Sequence, residues 1–371
     1  MQSDIPINPS TAPKRNWKGI ISVAGCFLVM IYLGCFFLWG NISIYVLSYF
    51  YEIDPTTSYD FIFLVDSFLV LSNWIGYNVG TYLLKNRRWH PKLVIGLGCA
   101  LSLGGVFLSS YTRSLGLYLA CYCGMNGIGT GACYFVALIC GWEYFPDTKG
   151  LVTGVILSGY GFGAFIFAQV STKLVNPTGA QPTIYDPVND VTYFAPDVAD
   201  RVPYMLRTLV CIWTAIVVVG VALITRKSER KETAEVDAGV SVEETIMSDG
   251  KQVNKSSNGS YIAQSVKYSD ASGPVELETE QIRGITYCFY SIRTYQFFFM
   301  LILSTIFGTL FSYTYKIYGE NGAQHPAISD GLLTWAASIG SGLVNGLSRI
   351  VIGTILDRVG FKTIFTILML I

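Results

Sequence analysis

The chain has 371 residues, of which 51% are hydrophobic and only 13% are charged, and its formal net charge is zero. Soluble domains carry roughly 25% charged residues, so much of this chain is not built to face water. The basic residues do not gather into a patch, which excludes a nucleic-acid partner, and the nine cysteines have irregular spacings that favour reduced core residues over a metal site.

Apolar segments longer than the ~18 residues of a membrane-crossing helix recur along the chain. We therefore predict an all-α transmembrane protein in a lipid bilayer, preceded by a polar tail at residues 1–18. The first apolar run is too long for a signal peptide and has no small-residue cleavage site, so it is expected to remain as a spanning helix. The eight predicted spans lie near 19–50, 60–84, 93–111, 115–142, 150–175, 204–225, 291–318 and 331–355.

A polar segment divides these spans into two groups. Residues 19–225 are predicted to form a six-helix bundle. Residues 226–290, rich in Ser, Glu, Lys and Asp, are predicted to be a disordered cytoplasmic linker, because this composition cannot bury enough apolar surface to fold. Residues 291–371 then form a partial second bundle, whose ninth span begins near Thr363 and rises only about 13 Å. Tandem bundles are typical of carriers with repeated halves, so we expect an incomplete form of a twelve-helix protein.

Basic residues are concentrated in the loops on one side of the predicted membrane. They lie in the tail, in Lys85–Lys92, after residue 225 and in the turn at 357–362, whereas the loops on the other side hold few. Because Lys and Arg favour the cytoplasmic side, a cytoplasmic amino terminus is predicted. For the host membrane we expect the plasma membrane rather than an organelle membrane.

The second span places Asp66, Asn73, Tyr77 and Gly80 on a single helical face. Asp66 lies about 9 Å inside the outer end of this helix. A polar residue at such a position must be paired or must face a cavity. Asp66 is therefore either a proton-linked carboxylate or a hydrated residue in an outer vestibule.

Polar stripes also occur in the first and fourth spans. The first contains Asn41 and Tyr45, and the fourth contains Asn126 and Tyr134. Each stripe either lines a substrate cavity or pairs across neighbouring helices.

The fifth span has small residues at a spacing of four, at Gly150, Gly154 and Ser158. Small residues at this spacing allow helix backbones to approach closely in lipid. The stripe indicates either static packing or a moving contact, and glycine alone does not distinguish them.

Arg349 stands in the middle of the eighth span, about 12 Å inside the boundary near Asp357. Snorkelling to the surface is implausible from that depth, and an unpaired arginine there costs roughly 2.5–3.5 kcal/mol. Asn345 and Gly353 lie on the same face and carry no charge to neutralise it. The guanidinium is thus available for bidentate pairing with a substrate carboxylate. The alternative is an ion pair with Asp66 or another buried acid.

The turn Gly353-x-x-x-Asp357-Arg358-x-Gly360-x-Lys362 resembles the cytoplasmic signature loop of the major facilitator superfamily, in the copy that follows the eighth helix. These five residues are therefore the candidate cytoplasmic gate. The corresponding first-half segment departs from the pattern, because Leu84 stands where the superfamily has an acidic residue.

Three further segments narrow the resemblance. "GCFFLWGN" in the first span is similar to a Gly-x-x-aromatic-x-Trp-Gly pattern, and "GWEYFPDTKGLVTGVILSGYGFGAFIF" resembles the helix 4–5 connection of oxalate:formate antiporter-like carriers, relatives of the monocarboxylate transporters. "NGLSRIVIG" resembles the helix 8 segment that holds their substrate-pairing arginine. The monocarboxylate branch has an aspartate at the position of Asn345, so its Asp–Arg pair is absent here.

The resemblance touches nearly all the spans and implies major facilitator-type bundles, with a six-helix first half and an incomplete second half. It implies a secondary active transporter of a small organic anion, a mono- or dicarboxylate, working by alternating access with proton coupling or exchange. The candidate substrate-binding residues are Arg349, Asn345, Asn41, Tyr45, Asn126 and Tyr134.

Two other functional classes were weighed against transport. A non-transporting membrane sensor or an inactive truncated carrier is the main alternative. An enzyme is poorly supported, because His90 and His325 both lie beside loop prolines and no Ser/His/Asp set, metal-spaced cluster or phosphate-binding glycine loop accompanies them. We therefore expect no cofactor, and the sequence does not identify an accessory membrane protein.

Overall fold

The computed structural model describes residues 16–58, 60–187, 191–226 and 329–370, together with the isolated positions 292, 295, 296, 299, 300 and 319. Within these residues, seven helices are long and apolar enough to cross a membrane, and a shorter one follows. We number them α1 (Trp17–Ile53), α2 (Asp60–Lys85), α3 (Pro91–Ser109), α4 (Leu115–Tyr144), α5 (Pro146–Val175), α6 (Pro196–Leu223), α7 (Asp330–Val359) and α8 (Phe361–Leu370).

These helices confirm the predicted all-α transmembrane fold. Seven of the eight predicted spans are found within a few residues of their predicted ends. The largest difference is at α6, where a short helical turn, Pro196–Ala199, precedes the main helix Val202–Leu223. The start of the polar tail, the linker at 226–290 and the predicted span at 291–318 lie outside the described residues, apart from the positions named above.

The two ends of the helices differ in their connections. We call the side with the Lys85–Lys92 loop the basic face. The opposite side is the hairpin face, because a two-stranded antiparallel hairpin lies there, formed by β1 (Ile184–Asp186) and β2 (Val191–Tyr193). This hairpin was not predicted from the sequence.

The hairpin is attached to the end of α1. The ring of Tyr193 stacks on that of Tyr51 with centroids 4.0 Å apart, and the Phe194 backbone N–H donates to Ser48 Oγ at 3.0 Å. Burial raises the pKa of the Tyr193 phenol to about 12. The hairpin therefore forms a fixed cover over the α1 end, held by ring packing and a backbone hydrogen bond.

Helix α5 packs closely between α1 and α7 because it carries glycines on the face toward each of them. A Cβ at Gly159 would lie 2.5 Å from Phe27 O on α1, and one at Gly161 would lie 2.6 Å from Gly346 Cα on α7. Neither position has room for a side chain, so the helix axes approach closely and gain van der Waals contact. Helix α5 thus makes close contact on two sides, and Gly150 and Gly154 of the predicted small-residue stripe lie against α7.

Helices α1, α4 and α7 each contain an internal segment of tighter or wider helical turns. α1 tightens to a 3₁₀ turn over Gly34–Leu38, whereas α4 and α7 widen to π turns over Leu119–Met125 and Ser338–Val344. The two π segments end immediately before Asn126 and Asn345, both candidate site residues. Wide turns of this kind are often found at functional sites.

Candidate functional site

Arg349 lies near the middle of α7. The helix ends at Val359, ten residues later, which places Arg349 about 15 Å from the basic face, or half the thickness of a ~30 Å hydrocarbon core. Its side chain is half-buried, and Nε donates to Asn345 Oδ1 at 2.8 Å. The predicted neighbour on the same helical face thus orients the guanidinium through Nε and leaves its terminal nitrogens for other partners.

A cluster of aromatic rings from α1, α2, α4 and α5 lies beside this guanidinium. Arg349 Cζ lies 5.8 Å from the centroid of the Tyr160 ring, in cation–π range, and the Tyr134 phenol also interacts with the guanidinium. Tyr160 packs edge-on against Tyr134 at 5.8 Å and against Phe37 at 5.3 Å, and Tyr77 packs on Tyr134 at 5.4 Å. We call these five side chains and Asn345 the Arg349 site.

The site presents one positive charge to neutral partners. Among the described residues, the partners of the Arg349 side chain are the Asn345 amide oxygen, the Tyr160 ring and the Tyr134 phenol, and no carboxylate is one of them. The alternative ion pair with Asp66 is not formed, because Asp66 stands eleven residues before Tyr77 on α2, about 16 Å away along the helix. An oriented, partly desolvated guanidinium can therefore bind a carboxylate through its terminal nitrogens.

Close backbone contacts hold Tyr160 in place. Gly34, in the 3₁₀ turn of α1, lies against the Tyr160 carbonyl, and a Cβ there would clash with it. On the other side, Gly154 lies against the backbone of Arg349 and Ile350. Glycine on both helices therefore sets the distance between the Tyr160 ring and the guanidinium.

Asn41 and Tyr45 lie nearer the hairpin face, in a separate polar cluster. Asn41 Nδ2 donates to Thr172 Oγ1 at 2.9 Å, and its Oδ1 accepts from Thr334 Oγ1 at 3.0 Å. Tyr45 OH donates to Asp330 Oδ2 at 2.6 Å. Both residues join α1 to α5 and α7 outside the Arg349 site, and their contact with substrate stays a prediction.

Asn126 lies among the first helices. Its Oδ1 accepts from Ser102 Oγ at 2.6 Å, and Ser102 in turn pairs with the Tyr32 hydroxyl. It stands eight residues before Tyr134, about 12 Å along α4. The structure therefore brings Arg349, Asn345 and Tyr134 together but not Asn126, whose substrate role stays a prediction.

Asp66 is half-buried on α2, and its Oδ1 atom is inaccessible and has no hydrogen-bond partner in the described part of the chain. Burying a carboxylate oxygen without a partner is costly. Its proposed part in proton coupling stays a prediction.

The predicted gate residues meet the start of α5 at the basic face. Asp357 Oδ1 and Oδ2 accept from the backbone N–H groups of Gly150 and Leu151, both at 2.7 Å. Thr148, which precedes the regular helix, makes no side-chain capping bond, so Asp357 of α7 supplies the cap and complements the helix dipole.

The remaining gate residues have different environments. Gly360 has φ +87° and ψ +155°, a conformation essentially restricted to glycine, and it ends α7. Gly353 packs against the Gly150 carbonyl. Arg358 and Lys362 are exposed.

No protein-family model matches the chain. Apicoplast pyruvate carrier 1 of Toxoplasma gondii is 28% identical over 260 residues, covering 58% of this chain and 47% of that carrier. Monocarboxylate transporter 12 of Homo sapiens is 32% identical over 169 residues, covering 45% of this chain and 31% of that transporter. The uncharacterized MFS-type transporter YhjX of Escherichia coli is 27% identical over 100 residues, covering 27% of this chain and 25% of that protein.

The chain is similar to monocarboxylate transporter-like carriers of the major facilitator superfamily. It spans about half the length of the pyruvate carrier and about a third of monocarboxylate transporter 12. These relatives are named as carriers or transporters, in agreement with the expectation that this chain is not an enzyme.

In this monocarboxylate transporter-like chain, sequence reasoning missed Tyr160 and Phe37 as parts of the site. A signal for Tyr160 was present, because a bulky ring stands between Gly159 and Gly161, where the neighbouring positions leave room for other helices. The sequence carries no such signal for Phe37, because one aromatic residue among many apolar ones does not reveal which helix it contacts.

Proposed function

We propose that the chain acts as a secondary active transporter of a small organic anion, of the mono- or dicarboxylate class, by alternating access. The observation that carries this proposal is the Arg349 guanidinium, at mid-depth, oriented by Asn345 and faced by Tyr134 and Tyr160. A carboxylate would supply the counter-charge that these neutral partners do not. The names of the pyruvate carrier and the monocarboxylate transporter support the substrate class.

In this proposal, α1–α6 form the first bundle, α7 and α8 belong to the second, and residues 226–290 connect them. The basic face is cytoplasmic, since Lys and Arg concentrate there. Contacts of α7 near each face would break alternately, so that the Arg349 site opens to one side at a time. Labelling of cysteines introduced at 87 and 178 with an impermeant maleimide tests the orientation.

Transport is proposed to be coupled to protons or to proceed by exchange. Asp66 is the candidate proton carrier, because its carboxylate is half-buried and has an unpartnered oxygen among the described residues. Uptake driven by a pH gradient in wild type and abolished in Asp66→Asn would support the first mode. Uptake that requires internal carboxylate would support the second.

The deciding experiment measures uptake of labelled pyruvate and of a labelled dicarboxylate into proteoliposomes. Truncating a buried charge pair costs ~2–5 kcal/mol, so Arg349→Gln is expected to lower affinity roughly 30-fold or more. Arg349→Lys keeps the charge but loses the planar fork, and it should also weaken binding markedly.

Arg207→Gln is the matched control. Arg207 likewise stacks on a ring, 5.1 Å from the Tyr111 centroid, and its Nε donates to the Pro203 carbonyl, but it lies in α6 outside the Arg349 site. Uptake should survive this change. Wild-type uptake by Arg349→Gln would end the proposal.

The alternative, a non-transporting sensor or inactive carrier, would bind carboxylate at Arg349 without moving it. Equilibrium binding with no uptake in wild type would favour that reading. For the host membrane, the plasma membrane remains our proposal, against the organelle in the name of the Toxoplasma relative. Imaging of the tagged protein in its own cells tests it.

A further inference from the structure

Asp330 is a carboxylate buried at the hairpin face, where α7 begins. Its exposed fraction is only 1%, and its Oδ2 accepts from Tyr45 OH at 2.6 Å and from Asn176 Nδ2 at 3.0 Å. Tyr45 belongs to α1, and Asn176 follows directly after α5. Removing a carboxylate from water is tolerated only where such bonds replace hydration. One side chain thus joins three segments at the end of the helix bundle.

We propose that Asp330 is the latch of a gate at the hairpin face. Its carboxylate holds α7 against α1 and the end of α5 while the path to the Arg349 site is closed on that side, and it releases them when the path opens. The inference rests on the proposed transport function. It concerns Asp330, which lies nineteen positions before Arg349 on α7, and assigns this carboxylate no contact with substrate.

The polar residues that follow Asp330 along α7 also bond to α1 and α5. Thr334, one turn on, donates to Asn41 Oδ1 at 3.0 Å and lies 3.3 Å from Thr172 Oγ1. After a further turn, Ser338 Oγ accepts from Gln169 Nε2 at 2.7 Å. A spacing of four places these residues on one helical face, so their bonds to α1 and α5 form and break together.

The residue that follows the hairpin covers the Asp330 latch on its solvent side. The Tyr45 ring packs on Phe194 with centroids 4.9 Å apart, and Phe194 follows directly after β2 of the hairpin. Tyr45 itself is fully buried. The cover keeps water from competing for the Asp330 carboxylate, which strengthens each bond to it.

The latch has a counterpart on the same helix. Asp357, twenty-seven residues later at the basic face, holds the start of α5 through two backbone N–H groups. Opening at the hairpin face breaks the Asp330 contacts and can keep those of Asp357, whereas opening at the basic face does the reverse. Loss of one carboxylate should therefore shift the conformational equilibrium in the opposite direction to loss of the other.

A disulfide assay on the whole chain tests this. Thr172→Cys and Thr334→Cys replace two hydroxyls 3.3 Å apart, so their thiols can bond when the hairpin face is closed. A protease site introduced within 226–290 allows the chain to be cut between the two cysteines. After cleavage, the two fragments run together on a non-reducing gel only if the disulfide has formed. The rate of disulfide formation under copper phenanthroline in proteoliposomes reports closure, and it requires no substrate.

In this background, Asp330→Asn and Tyr45→Phe should each slow disulfide formation about tenfold, because each removes part of a charge-assisted bond. Asp197→Asn is the matched control, since Asp197 is exposed on the same face at the start of α6. It should leave the rate unchanged, and Asp357→Asn should not lower it.

Unchanged rates in both Asp330→Asn and Tyr45→Phe would overturn the latch. Equal slowing by Asp330→Asn and Asp357→Asn would also overturn it, because that result indicates general loosening of α7. If the rates change as expected but no carboxylate is taken up, the latch stands and the transport proposal fails.

Discussion

Replacing Asp357 by asparagine should slow transport while leaving substrate affinity nearly unchanged. The substitution removes the charge and one of the two acceptor oxygens that bind Gly150 and Leu151 at 2.7 Å. A hydrogen bond to a charged group contributes ~1.5–3 kcal/mol when buried, and a charge at a helix start ~0.3–1 kcal/mol. Asp357 is exposed, so solvent screening reduces the total to about 1–2 kcal/mol.

That free energy corresponds to a roughly 5- to 30-fold change in the ratio of the closed to the open basic face. Initial uptake rates over a range of substrate concentrations give maximal rate and apparent affinity separately. We expect the maximal rate to fall by a comparable factor. Apparent affinity should stay within a few-fold, because Arg349 lies eight residues, about 12 Å, away along α7.

The control is Asp147→Asn, which removes an exposed acid from the 3₁₀ turn at the start of α5 on the same face. It should transport normally. Weakened binding by Asp357→Asn at an unchanged maximal rate would refute a gating role and would place this carboxylate in the substrate path.

Two further predictions concern the packing around Arg349. Tyr160→Ala should weaken apparent carboxylate affinity roughly 3- to 30-fold, since cation–π contacts contribute ~0.5–2 kcal/mol, while Tyr160→Phe should stay within about twofold. Equal losses in both variants would contradict the ring contact. Gly161→Ala should lower the unfolding temperature of the purified protein, because its Cβ would meet Gly346 at 2.6 Å and overpacking costs ~1–3 kcal/mol. Gly116→Ala, with open space around it, should not, and equal shifts would argue against a tight α5–α7 contact.

Features of single helices were predictable from the sequence. Seven spans were found from hydropathy, because a lipid-facing helix must be apolar whatever its neighbours are. Arg349 and Asp357 stood out because charge is expensive inside a membrane and useful at its edge. The bond between Arg349 and Asn345 followed from spacing within one helix.

Features that depend on helix neighbours were not predictable. Asn41 and Tyr45 looked equally suited to a cavity and to pairing, and only the approach of α7 showed Thr334 and Asp330 as their partners. Tyr160 faces Arg349 only because glycines allow α5 to approach α7. A single sequence does not determine which helices pack against each other.

The π turn at Ser338–Val344 sets the angle around the α7 axis between the residues before it and those after it. Asp330 and Arg349 are nineteen residues apart, which on a regular α-helix would leave them about 100° apart around the axis. A π turn accommodates about one residue more than the α path, so the two side chains act as if eighteen residues, five whole turns, separated them. A one-residue deletion within this segment would therefore leave an ordinary helix, with Arg349 still on the face that carries Asp330. A residue inserted or deleted elsewhere between Asp330 and Arg349 would instead turn Arg349 by about 100° away from Tyr160, so the length of the rest of this stretch is constrained as strictly as its composition.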